Sequence, residues 1–306
     1  MKSRKAKIIV SLIVVALICV GIGTYCIYAH DRDEYLDSVT NHYFSPKSRD
    51  TVKDLVISEE QTIDADGYHF VLREYIYEST IDTGYFLIEV TKKGTNMKKL
   101  FEDYKGEMVK GLLDSNSTIV PEYVLELQGE RAIGMVELDK EATRNKLYIY
   151  GRFESNPIMK EDTVKIGIRR KYYNENGVLI DESASPEGEF ELKGTECSKM
   201  YTYGKNNIVV TPFMLLYHQT KYNVDMLPGF EIYYKDGTKS EMYYSRSDEE
   251  YGDNISNVRA AQSTFELNGE YYENAKYDCY YFTNPINIDE IDRIETCGEV
   301  TEPVKK

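Results

Sequence analysis

From about residue 56 onward, apolar and polar residues alternate along the chain with a period of two. Tyr68, Phe70 and Leu72 alternate with His69, Val71 and Arg73. Leu147, Ile149, Gly151 and Phe153 alternate with Tyr148, Tyr150 and Arg152, and Val164, Ile166 and Ile168 with Lys165, Gly167 and Arg169. Successive side chains of a strand point to opposite faces, so this spacing predicts strands with one buried face. The run Tyr85-Phe86-Leu87-Ile88-Glu89-Val90 is nearly continuous and predicts a strand covered on both faces. Asp66-Gly67, Asn176-Gly177, Asp236-Gly237 and Asn268-Gly269 supply the positive φ angles of tight hairpin turns. The clearest hairpin runs over Thr163 to Tyr173, turns at 174–177 and returns on Val178 to Ile180.

One stretch departs from this period. Between Asn96 and Leu113, Leu100, Phe101, Tyr104 and Met108 fall on one helical face, which predicts a short helix or an ordered loop. Many short strands with regular turn signals and no long amphipathic helix predict a mostly β fold built of β-sandwiches. A weak internal echo predicts two of them. Asp66-Gly67 followed by YHFVLREYIY resembles Asn206-Asn207 followed by IVVTPFMLLYH, with 188–192 as a closing strand and 193–199 as the connection. The expected domains are 56–198 and 199–306.

The N-terminus reads differently. Met1 to Lys7 carries Lys2, Arg4, Lys5 and Lys7 without an acid, and Ile8 to Ala29 is a 22-residue run without a formal charge. At about 1.5 Å per residue such a helix crosses the roughly 30 Å hydrocarbon layer. Basic residues flank one end only, while Asp31-Arg32-Asp33-Glu34 follows the other, so the N-terminus is expected in the cytoplasm. The layout is then a cytoplasmic tail (1–7), a transmembrane helix (8–29), a polar stalk (30–55) and two extracytoplasmic domains. A cleaved signal peptide fits less well, because its apolar core is usually about 7 to 15 residues and Ile27 is bulky for a cleavage site. Cys19 and Cys26 lack the small preceding residue that lipoprotein processing needs, and read as membrane-facing thiols.

Charge sharpens this division. The net charge is −15, and with +4 on the first seven residues the remainder carries −19. An acidic ectodomain argues against nucleic acid as a partner, since phosphate binding requires clustered Lys and Arg. The other anomaly is tyrosine, with 28 Tyr against no Trp.

The patterns DGYHFVLREYIYESTIDTGYFLIEV, GEFELKGT, TPFMLLYH and INIDEIDRIETCGEV, behind a short membrane anchor, resemble the immunoglobulin-like ectodomains of unknown function in membrane proteins of low-GC Gram-positive bacteria. The resemblance spans about residues 56–306 and implies two immunoglobulin-like β-sandwiches. Some of those ectodomains are attached to anti-sigma-factor heads. Seven residues ahead of the membrane segment are too few to fold into such a head, so that activity is not expected here.

Little in the sequence points to catalysis. His30, His42, His69 and His218 lack metal-ligand spacing. Ser183 and Ser185 sit in a loop without a nucleophile motif. No enzyme activity and no cofactor are expected. Asp248, Glu249, Glu250 and Asp253 offer hard oxygens in a loop, a weak calcium candidate beside the plainer reading of a solvated acidic loop. Cys197, Cys279 and Cys297 are the exported cysteines. Cys279 with Cys297 is the favoured disulfide, worth about 3 kcal/mol by loop entropy, against the alternative of three buried thiols. Tyrosine pairs place Tyr172, Tyr233, Tyr243, Tyr271 and Tyr280 as candidates for an outward stacking surface, against the plainer reading that tyrosine suits half-wet strands. The expectation is therefore a membrane-anchored envelope module binding a cell-wall polymer or an envelope protein. The alternative is a sensory ectodomain that signals through a separate membrane partner.

Overall fold

The structure, a computed structural model, describes residues 38–108, 116–120, 122–127, 131–138, 143–155, 161–173, 179–182, 185–218, 228–245, 250–252, 254–267 and 270–304. The fold is mostly β, with antiparallel sheets throughout. Two helices open the described chain, α1 (Val39–Tyr43) and α2 (Pro46–Val52), and a third, α3 (Met97–Met108), interrupts the strands.

The first unit contains β1 (Gln61–Ala65), β2 (Tyr68–Glu78), β3 (Thr83–Lys92), β4 (Asn116–Val120), β5 (Tyr123–Leu127), β6 (Arg131–Leu138), β7 (Leu147–Ser155), β8 (Thr163–Tyr173), β9 (Leu179–Glu182) and β10 (Gly188–Lys193). One sheet has the order β1-β2-β3-β7-β6 and a second β10-β8-β5-β4, with β9 paired to β8. Phe70, Leu72, Phe86, Ile88, Val90, Ile149 and Phe153 of the first sheet pack on Leu125, Ile166, Ile168, Phe190 and Leu192 of the second. Period-two alternation directs these residues to one face, so the two sheets meet around a single core.

The second unit repeats the plan with β11 (Lys199–Tyr203), β12 (Asn206–Val210), β13 (Met214–His218), β14 (Phe230–Tyr234), β15 (Lys239–Ser245), β16 (Glu250–Gly252), β17 (Ile255–Leu267), β18 (Glu270–Phe282), β19 (Ile291–Thr296), β20 (Glu299–Val300) and β21 (Glu302–Pro303). Its sheets run β17-β18-β13-β12-β11-β21 and β16-β15-β14-β19-β20. Ile208, Val210, Leu215, Tyr217 and Tyr280 face Phe230, Ile232, Met242 and Ile294 between them.

A third apolar cluster joins the units. Ile76, Tyr85, Leu87, Tyr148 and Tyr150, on the other face of the first sheet, meet Val209, Met214, Leu216, Tyr277, Cys279 and Tyr281 on the other face of the third. Val39, Phe44 and Val52 of the opening helical segment belong to the same cluster. Residues 39–55, expected within a polar stalk, are therefore a structural part of the seam. Ser38 caps α1 by accepting from Asn41 N–H at 3.4 Å, Pro46 starts α2 where its missing N–H costs nothing, and Glu74 accepts from Val39 N–H at 3.0 Å. Only a few of these residues are apolar, so the buried edge of the segment was invisible to a periodicity test.

The continuous run 85–90 behaves as its pattern predicts. Phe86, Ile88 and Val90 enter the core of the first unit while Tyr85 and Leu87 enter the seam. Two glycines make the packing of this strand possible. Phe86 pairs with Gly151 and Gly84 with Phe153 across β3 and β7, and a Cβ on Gly151 would lie 1.9 Å from the Phe86 ring. Each ring lies over the glycine opposite it.

Of the expected turns, Asp66-Gly67 has φ of 47° and 80°, and Gly237 has φ of 86°. Residues 174–177 and 268–269 lie outside the described residues. A further turn of the same kind, Cys297-Gly298 with φ of 52° and 79°, joins β19 to β20. Among the described residues no helix is long and apolar enough to cross a membrane. Ile8–Ala29, expected to do so, lies outside them.

Candidate functional site

The tyrosines do not assemble into one platform. Tyr280 is fully buried and its hydroxyl donates to the Pro228 carbonyl at 2.8 Å. Burial raises its pKa above the ordinary tyrosine value. Tyr281 is buried as well, because β18 is covered by the fourth sheet on one face and by the seam on the other. An inward and outward division of that pair fails for this reason. Tyr233 is half-buried, with the Arg293 guanidinium 3.8 Å from its ring centroid and its hydroxyl donating to Glu231. Its aromatic face is already occupied. Tyr172 and Tyr243 are exposed, but one stands on β8 of the first unit and the other on β15 of the second. The side chain of Tyr271 lies outside the described residues.

The cysteine pairing also needs correction. Cys197, Cys279 and Cys297 are all thiols. Cys279 is buried in the seam on one side of the third sheet, whereas Cys297 is exposed at the tip of the β19–β20 turn in the fourth sheet. A sheet stands between them. Of the acidic candidates, Asp248, Glu249 and Asp253 and the side chain of Glu250 lie outside the described residues, and no metal-type cluster occurs among the described ones.

The structure instead presents a cleft of about 720 Å3 at the end of the first sheet, where β2 begins, β3 ends and β7 begins. Its walls are the Asp66-Gly67 turn with His69, the loop 91–96 that leads into α3, and residues 144–146 ahead of β7. Both loops are fixed by their own backbone. Thr95 N–H donates to the Lys92 carbonyl at 3.1 Å across a turn in which Gly94 takes φ of 76°. Thr143 and Lys146 close a second turn, N–H to carbonyl at 3.0 Å and N–H to Oγ1 at 3.1 Å. Met97 N–H then donates to the Arg144 carbonyl at 2.9 Å, binding the two loops together, and Asn96 Oδ1 caps α3 by accepting from Lys99 N–H.

Lysine and arginine dominate this corner. Lys92 stands 3.9 Å from the Tyr68 ring centroid and 3.9 Å from Glu122. Lys146 reaches the buried carboxylate of Glu89 at 3.1 Å, which Arg73 also holds at 2.8 Å. His69 lies 2.7 Å from Asp64. Lys93 and Arg144 are exposed and form no ion pair with any described residue. Lys98 and Lys99, on the first turn of α3, are exposed in the same way. The sequence signal is the segment KKGTNMKK at 92–99, with four lysines and no acid in a chain of charge −15. It is overlooked when charge is averaged along the chain.

A smaller cleft of about 290 Å3 lies between β14, β15 and the β19–β20 turn, with Glu231, Glu241, Glu295, Tyr243 and Cys297 on its walls. Its acids are engaged, Glu231 and Glu241 by Lys239 and Glu295 by Arg293.

No family model and no curated protein matches the chain. A solved structure, the crystal structure of the conserved domain protein from Bacillus anthracis, is 9% identical over 79% of this chain and 76% of that one. Its TM-score of 0.34 is too low for the likeness to bear on fold or function.

Proposed function

We propose that this protein is a non-catalytic binding module of the cell envelope. In this reading the 8–29 segment anchors it by a single membrane pass with the N-terminus in the cytoplasm, and two immunoglobulin-like β-sandwiches stand outside. The paired antiparallel sheets around separate cores support the sandwich description. The observation that carries the binding role is the cleft between the 91–96 and 144–146 loops. It is concave, tied down by backbone hydrogen bonds at 2.9 to 3.1 Å, and lined by polar and cationic residues. A fixed site of this kind gives up little conformational entropy when it is filled.

The experiment is retention of the full chain, in detergent, on isolated envelope material separated into wall polymer, membrane and protein fractions. Saturable retention on one fraction supports the module. Failure to bind any fraction, together with capture of a single membrane protein, favours the sensory alternative instead. The seam gives that alternative its support, since the chain entering at Val39 contacts both units at once.

A further inference from the structure

We infer that the cleft takes a phosphate-bearing polyol or sugar chain, with Lys93 and Arg144 holding the phosphate oxygens. This rests on the binding role proposed above and adds the chemistry of the ligand. The chain carries −15 overall, yet this cleft is edged by cations, and two of them, Lys93 and Arg144, have no ion-pair partner among the described residues. Lys92 and Lys146, by contrast, are engaged with Glu122 and Glu89 and shape the walls. Cations without an ion-pair partner among the described residues, carried on loops fixed by their backbone, attract an anion locally while the surrounding field of an acidic protein repels extended polyanions.

The other lining groups narrow the choice. Thr91, Thr95, Asn96 and Asn145 offer hydroxyl and amide groups suited to polyol oxygens. The lining holds no Tyr, Phe or Trp, and its one ring, the His69 imidazole, is held by Asp64 at 2.7 Å, so neither base stacking nor a bare sugar face is well served. A cleft of about 720 Å3 accommodates far more than one inorganic phosphate, which favours a chain of repeating units over a single ion. The start of α3 contributes little on its own, because Asn96 and the Arg144 carbonyl already engage N–H groups of Met97 and Lys99. Arginine supplies a planar fork for two phosphate oxygens and lysine a mobile point charge.

The test uses the full chain in detergent and a glycerol phosphate oligomer as probe, with binding followed by calorimetry over a salt series. Lys93→Ala combined with Arg144→Ala is expected to weaken binding at least about tenfold and to lower the slope of log affinity against log salt by about one. Lys205→Ala with Lys235→Ala, an equal charge change on exposed positions of the second unit, is expected to leave binding unchanged. Inorganic phosphate should bind more weakly than the oligomer. Equal affinity for polyglutamate or for a single-stranded oligonucleotide overturns the inference, as does binding confined to phosphatidylglycerol vesicles. So does unaltered affinity in a Lys93/Arg144 double variant that unfolds at the wild-type temperature. Retention on an envelope fraction without affinity for the oligomer removes the ligand assignment and leaves the binding role standing. Loss of both removes both.

Discussion

The carboxylate of Glu78 accepts a hydrogen bond at 2.9 Å from the backbone N–H of Cys197, 119 positions later in the chain. It also accepts from Ile81 N–H at 3.0 Å, and Thr195 bridges to Glu78 in parallel. The end of β2 thus holds the connection between the two units. Glu78 is 1% exposed, and burial pushes its pKa up to about 7 despite the hydrogen bonds that pull it down.

A pH dependence follows from that position. The folded pKa of about 7 lies above the ordinary value of 4.5, so the folded state holds this proton more tightly than the unfolded chain. Its contribution is fully present below 4.5 and is lost as pH rises through about 7, with a magnitude of about 3 kcal/mol. Glu78→Gln should remove this slope from stability measured by urea unfolding between those two pH values and just above. Parallel slopes for the variant and the wild type would show that Glu78 does not titrate in this range.

Gly151→Ala should be poorly tolerated. A Cβ at that position meets the Phe86 ring at 1.9 Å, and Phe86 has no exposed surface into which to move. The expected loss is about 1 to 3 kcal/mol, read as a lower thermal midpoint. Phe86→Leu in the Gly151→Ala background should recover part of it, and strict additivity of the two changes would argue against the contact.

Phe44 tests the seam. Its ring lies 5.1 Å from that of Tyr85 in the first unit and 6.1 Å from that of Phe213 in the second. Phe44→Ala should cost about 3 kcal/mol and separate one calorimetric unfolding transition into two. A lowered but still single transition would mean that the units are coupled through other contacts, of which the 195–197 connection is the first candidate.

The thiols should differ in reactivity. Cys297 is exposed and Cys279 is fully buried, so a charged thiol reagent followed by peptide mapping should modify Cys297 first and Cys279 only after unfolding. A disulfide-linked peptide joining the two would contradict the placement of the third sheet between them.

The strands were legible where burial on one face leaves a period of two, as at Val164–Ile168; Leu147–Phe153 alternates in the same way although Tyr148 and Tyr150 are buried in the seam, because tyrosine reads as half polar. What lies beyond the second face was legible only at Tyr85–Val90, where the run is continuous. At Tyr280-Tyr281 the same double burial is hidden, since tyrosine suits both a core and a wet surface, and the pair reads as half exposed. The Cys297-Gly298 turn escaped notice because asparagine or aspartate normally precedes the glycine. The cleft was written plainly in 92–99, but its partner, Arg144, is brought there only by the pairing of β3 with β7.

The placement of α1 and α2 also has a mechanical meaning. Had the chain entered at an outer strand, tension on its N-terminal side would peel the first unit from its edge. Because it enters through Val39, Phe44 and Val52, a pull is delivered to the contact between the units, where Tyr85 and Phe213 share the load. The contact between the units, rather than the edge of either sheet pair, is then the first place where tension on the N-terminal side is felt.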